Sequence, residues 1–116
     1  MKNYNKISIA DSARTELHDQ LELTGAEISI NTLTPGASVP FVHSHKQNEE
    51  IYGILEGKGK VVIDGEETDL SAGDWLRIAP PAKRQFFADK TCAITYICIQ
   101  VKQNSLENYT MTDAIV

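Results

Sequence analysis

Short runs of alternating or β-branched residues, each closed by a turn signal, recur along the whole chain, and helical periodicity is almost absent. The runs are Leu17–Leu23, Ala26–Leu33, Glu50–Leu55, Lys60–Ile63, Glu66–Leu70, Trp75–Ile78 and Cys92–Val101. Each is too short to bury an apolar face alone, so the strands must pair and pack against one another. Asp64-Gly65 between "KVVI" and "EETDL" supplies the two positive-φ residues of a two-residue hairpin, and "TPGASVP", "LSAGD" and "APPA" mark further turns. Many short strands without a long helix predict an all-β antiparallel sandwich or barrel.

At 116 residues the chain has the size of one domain, with a core over about 7–101 and a polar tail, 102–116, that ends apolar. Leu106, Tyr109, Met111 and Ile115 in that tail suggest docking onto a second subunit, with an unattached end as the alternative. A homodimer is expected, because several strands are apolar on both faces. Eleven Lys+Arg against sixteen Asp+Glu give a net charge of −5 without a basic stripe, which argues against nucleic acid and anionic membrane as partners. No apolar stretch reaches the roughly 20 residues of a membrane span, and "MKNYNKIS" lacks the apolar middle of a secretion signal. A cytoplasmic protein with free thiols at Cys92 and Cys98, too far apart along one strand to bridge, is the expectation.

The chemistry-bearing stretch is "VHSHKQNEEIYGILEG", residues 42–57. In extended chain His43 and His45 share one face and Ser44 takes the other. "KQN" reads as a tight loop, after which Glu50, Tyr52 and Ile54 alternate onto one side of the next strand. If that side faces the imidazoles, two nitrogens and a carboxylate converge, a facial set that suits Fe(II), Mn(II), Ni(II) or Zn(II) and leaves positions for water and substrate. The competing reading makes the histidines rim residues, with Glu49 and Glu50 solvating a strand start.

From Gly36 to Gly57 the segment resembles the first motif of the cupin superfamily: glycine, then HxH, then glutamate after four intervening residues, then glycine after six. His43, His45, Glu50 and Gly57 occupy those positions, with one extra residue between Gly36 and His43. After fifteen intervening residues from Gly57, "GDWLRIAPPAKRQFF" is similar to a degraded second motif, with Ala79 at the usual proline, Pro81 at the usual glycine and Arg84 at the usual third histidine. The resemblance covers about residues 26–101. It implies a double-stranded β-helix, or jelly-roll barrel, with a divalent metal held by His43, His45 and Glu50 and a small molecule bound beside it.

Arginine is protonated and donates only, so Arg84 cannot ligate a cation. A one-residue slip would bring Gln85 to that position. Two outcomes stay open. In one, the metal site is that of an enzyme, an oxidoreductase or isomerase, and Arg84 anchors a carboxylate or phosphate of the substrate. In the other, Arg84 pairs with Glu50 and the cavity binds a small ligand such as a sugar, without metal or turnover. The superfamily includes dioxygenases, isomerases, sugar-binding regulator domains and storage proteins, and fold does not choose among them. Arg84, Tyr52 and Gln85 are the expected substrate contacts, Tyr52 because it shares strand parity with Glu50.

Overall fold

The computed structural model describes residues 2–108 and 112–116, so Tyr109 and Met111 of the tail lie outside the described residues. In chain order the elements are β1 (Arg14–Glu16), α1 (His18–Leu21), β2 (Glu27–Leu33), β3 (Asn48–Ile63), β4 (Glu66–Ser71), β5 (Trp75–Ile78), β6 (Arg84–Ala88) and β7 (Ile94–Lys102). Every pairing between them is antiparallel. Among the described residues no helix is long and apolar enough to cross a membrane.

β3 organises the molecule. Its first half pairs with β7 on one side and β5 on the other, completing a sheet β1-β2-β7-β3-β5. Its second half pairs with β4 and β6 in a second sheet. The strand passes from one sheet to the other through a register shift between Ile54 and Glu56 and through Gly57, whose φ is +77°. A Cβ at Gly57 would overlap the Ala93 carbonyl oxygen, so only glycine lets the chain turn this corner against β7. The sequence reading of Glu50–Leu55 and Lys60–Ile63 as separate strands is therefore corrected: Gly57 bends one strand and does not end it.

Other elements also differ from the sequence reading. Leu17–Leu23, expected as a strand, holds one helical turn, in which Leu21 N–H donates to Leu17 O at 2.9 Å and Glu22 closes the turn at φ +54°. Leucines four apart satisfy a helical turn as well as they satisfy alternation. Neither β1 nor β6 was among the expected strands. Cys92 precedes β7, in a turn where the Thr91 hydroxyl and N–H donate to Asp89 Oδ2 at 2.8 and 3.0 Å. The cysteines thus share no strand, and both are free. The expected hairpin forms: Asp64 (φ +50°) and Gly65 (φ +83°) join β3 to β4, with Ile63 opposite Glu66.

The facing sides of the two sheets supply the core, with Tyr52, Ile54, Val61, Leu70, Ile78, Phe86, Ile94 and Tyr96 all buried. Tyr52, Phe86 and Tyr96 stack at centroid separations of 4.3 and 5.0 Å, contacts worth about 0.5–1.5 kcal/mol each beyond area burial. They close the interior below the end of the barrel where the histidines lie.

Candidate functional site

Glu50 sits near the start of β3, opposite Ile78 of β5 and Gln100 of β7, and strand alternation turns its side chain inward, where it is 3% exposed. The histidines precede β3 in extended chain. An isolated bridge ties His43 to Arg84, with His43 N–H donating to Arg84 O at 3.2 Å and Arg84 N–H donating back at 3.0 Å. His45 N–H donates to Pro80 O at 2.8 Å. These backbone contacts aim both imidazoles at Glu50: His43 Nε2 lies 3.8 Å from Oε1, His45 Nε2 lies 3.2 Å from Oε2, and the rings meet edge to face at 5.1 Å. One ligating atom from each of the three residues lies within 4.8 Å of the other two. The convergence expected from the HxH spacing is present.

The carboxylate of Glu50 is held from below. Tyr52 Oη donates to Oε1 at 2.7 Å, Cys98 Sγ donates to Oε2 at 3.3 Å, and Arg84 Nη1 stands 3.3 Å from Oε1. Burial, reinforced by Cys98 and Glu50, pushes the Tyr52 phenol far above its ordinary range. Burial and then the Glu50 charge push the Cys98 thiol up to about 12. Both groups are therefore neutral donors, and neither is a base. His43 is shifted down, chiefly by burial, with the His45, Arg84 and Arg14 charges adding to the effect and Glu50 opposing it. A neutral imidazole is the form a metal requires.

Arg84 is completely buried, donates Nη2 to Ala79 O at 2.7 Å and does not line the cavity above the histidines. Its charge faces Glu50, the second of the two arrangements the sequence leaves open. A guanidinium enclosed in this way cannot reach an incoming anion without leaving its partner. Gln85 and Tyr52 do line the cavity, Gln85 with its amide nitrogen donated to Val39 O at 2.7 Å.

That cavity has a volume of about 550 Å³ and opens between the sheets. Its apolar walls include Leu33, Val39, Phe41 and Phe86, and its polar side is formed by Ser29, Asn31, Gln100 and Arg14. Sequence reasoning missed this polar side. A faint signal existed in "EISINTL", where Ser29 and Asn31 alternate with Ile28 and Ile30. The polar alternates are the ones that face inward, Ser29 at 4% and Asn31 at 6% exposed.

The donor chemistry fits a divalent ion. His45 Nε2, though 3.2 Å from Glu50 Oε2, makes no well-aligned hydrogen bond, and His43 Nδ1, the ring nitrogen other than the one facing Glu50, is buried without a partner; a buried polar group left so costs about 1–3 kcal/mol. Two imidazoles and a carboxylate on one side of a cavity are the facial arrangement that leaves coordination positions open. Of the groups that hold Glu50, Arg84 is the charged one, and its cation competes with a metal for the carboxylate.

A model of the Cupin domain family matches residues 29–99. A cupin protein from Bacteroides fragilis is 67% identical over 100% of this chain and 98% of its own, and superposes at a TM-score of 0.97. A sugar phosphate isomerase of the cupin superfamily from Silicibacter pomeroyi superposes at 0.68, with 23% identity over 78% of this chain and 60% of its own, a likeness of fold. An uncharacterized protein of Methanocaldococcus jannaschii is 33% identical over 67 residues; the match spans about half of that relative, 54% of its length, and 58% of this chain. With two antiparallel sheets sharing one bent strand, HxH and glutamate converging at the barrel mouth, and a family model matched across most of the paired strands, the chain belongs to the cupin family.

Proposed function

We propose that the protein holds a divalent transition metal, Fe, Mn, Ni or Zn, on His43, His45 and Glu50, and binds a small polar or anionic metabolite in the cavity above it. The observation that carries this reading is the clustering of one ligating atom from each of His43, His45 and Glu50, all within 4.8 Å of one another. When bound, such an ion supplies Lewis-acid polarisation of a substrate oxygen or activation of a water. The chain's own residues do the rest: Tyr52 and Cys98 keep their protons and fix the Glu50 carboxylate by hydrogen bonds, and the apolar walls keep bulk water from the metabolite. An isomerase or an oxidoreductase would both be served by this arrangement.

Protein purified without chelator is expected to carry about one transition-metal ion per chain by elemental analysis, and His43→Ala with His45→Ala is expected to abolish it. A metal-free wild type that also takes up no added Zn, Mn, Ni or Fe ends this reading. The second reading, a metal-free small-ligand module, is favoured by the Arg84–Glu50 pair at 3.3 Å, which already balances the buried carboxylate.

We propose further that two copies pair through the outer face of the five-stranded sheet. Ile28, Ile30, Ile51, Ile97 and Ile99 alternate outward on β2, β3 and β7 and are only half-buried, beside Trp75 at 59% exposure. The register places Ile28 opposite Ile99 and Ile30 opposite Ile97, so the patch is continuous across strands. The radius of gyration, 15.6 Å, exceeds the roughly 13 Å of a compact chain of this length, and Ile115 is 97% exposed. A second copy would cover both the face and the unpacked ends. Light scattering on wild type and on Ile97→Asp with Ile99→Asp is expected to give dimer and monomer; a monomeric wild type overturns the proposal.

A further inference from the structure

Among the residues lining the cavity, the charged ones are Arg14 and Glu50, and the two are not equivalent. Glu50 is compensated by Arg84 at 3.3 Å inside the protein. Among the described residues the acidic partner of Arg14 is Glu16, 3.2 Å from its Nε, and both side chains are more than half exposed, at 53% and 60%. Such a pair is screened by solvent and holds its partners weakly. The four charges sum to zero, but the pair at Glu50 is closed inside the protein while Arg14 stands at the cavity beside a solvent-screened carboxylate, so Arg14 is the cation an incoming anion can meet. Low-dielectric walls concentrate its field in the cavity.

The guanidinium is also positioned. β1 pairs with β2 so that Arg14 lies directly opposite Asn31. Arg14 Nη1 donates to Asn31 Oδ1 at 2.6 Å, and the Asn31 amide in turn donates to Ser29 Oγ at 3.0 Å. Asn31 and Ser29 are both buried, so this relay fixes one edge of the fork to the sheet. An arginine with one edge fixed loses less freedom on meeting a planar anion. Elsewhere in the lining, Leu33, Val39 and Phe86 offer carbon surface.

We infer that Arg14, oriented by Asn31, is the anion anchor of the cavity and selects a small organic acid, carboxylate or phosphate, whose carbon skeleton lies on the apolar wall. The inference deepens the proposed function and rests on its ligand cavity. It places at Arg14 the anchoring role that sequence spacing assigned to Arg84, and the two arginines then divide the work. Arg84 neutralises the buried glutamate, and Arg14 meets the ligand.

The test is calorimetric titration of the full chain with malonate, its neutral isostere malonamide, and inorganic phosphate. Malonate can also touch a bound metal, so each titration is run on zinc-loaded and on chelator-treated protein. The expected result is that wild type prefers malonate or phosphate over malonamide in both forms, and that Arg14→Gln weakens anion binding roughly tenfold or more in both. Asn31→Ala should produce a smaller loss, and Arg14→Lys, which keeps charge without the fork, should retain part of the affinity. The response to malonate against phosphate assigns the acid class. Metal content is measured on every variant and is expected to be unchanged in Arg14→Gln. If the metal reading fails, zinc is not bound, yet the Arg14-dependent preference persists. Equal binding of malonate and malonamide, or anion binding indifferent to Arg14→Gln, overturns the inference.

Discussion

Replacement of Arg84 by methionine separates the two charges that compete for Glu50. Arg84 is fully buried, its Nη1 is 3.3 Å from Glu50 Oε1, and Glu50 itself is 2% exposed. Methionine keeps much of the volume and removes the cation, so chelator-treated Arg84→Met must fold around an uncompensated carboxylate. Removing one partner of a buried pair costs about 3–5 kcal/mol, and the Ala79 carbonyl loses its donor as well. Against a total stability of about 5–15 kcal/mol, that loss removes from about a fifth to all of the folding free energy of the metal-free variant. A divalent ion would restore a positive partner. Zinc at a hundredfold excess over its dissociation constant returns about 2.7 kcal/mol to any folded state that binds it. Because Glu50 is no longer shared, the variant should bind zinc at least tenfold tighter than wild type, a further ~1.4 kcal/mol. Urea denaturation of both proteins, with chelator and with zinc, measures the cycle. A loss below about 1 kcal/mol in chelator would refute the claim that Arg84 sustains the buried charge. An identical loss with and without zinc would refute the sharing of Glu50 between guanidinium and metal.

Three further outcomes are expected. Gly57→Ala should cost more than about 2 kcal/mol in the same assay, from positive φ and overlap with Ala93, while Gly25→Ala, where a Cβ meets nothing within 4 Å, should be nearly neutral; equal effects would discard the corner argument. In a thiol titration at pH 8, Cys92 should react in the folded protein and Cys98, raised to about 12 and buried, only after unfolding. Stability of the metal-free protein should fall as pH drops below about 6.5, because the unfolded chain takes up a proton at His43 that the folded chain, with its pKa depressed, resists. His43→Asn should flatten part of that slope, and an unchanged slope would assign it elsewhere.

Local signals carried much of the outcome. Asp64-Gly65 forms its hairpin because both residues tolerate positive φ whatever surrounds them. His43, His45 and Glu50 converge because extended chain alternates, so their spacing already sets their side. The continuity of β3 was not legible, since a glycine between two apolar runs reads equally as a strand end or a bend. The choice rests with β7 on one side of Gly57 and β4 and β6 on the other.

The chain's own order of residues determined the all-β class, the hairpin and the metal-type donor set, all of which follow from dihedral preferences and side-chain periodicity over a few neighbours. Tertiary structure alone decided what the arginines do. The His43–Arg84 bridge turns one guanidinium onto a buried carboxylate, and the β1–β2 register sets the other at the cavity beside Asn31. Charge interactions act through space between segments distant in sequence, and their partners exist only once the sheets have closed.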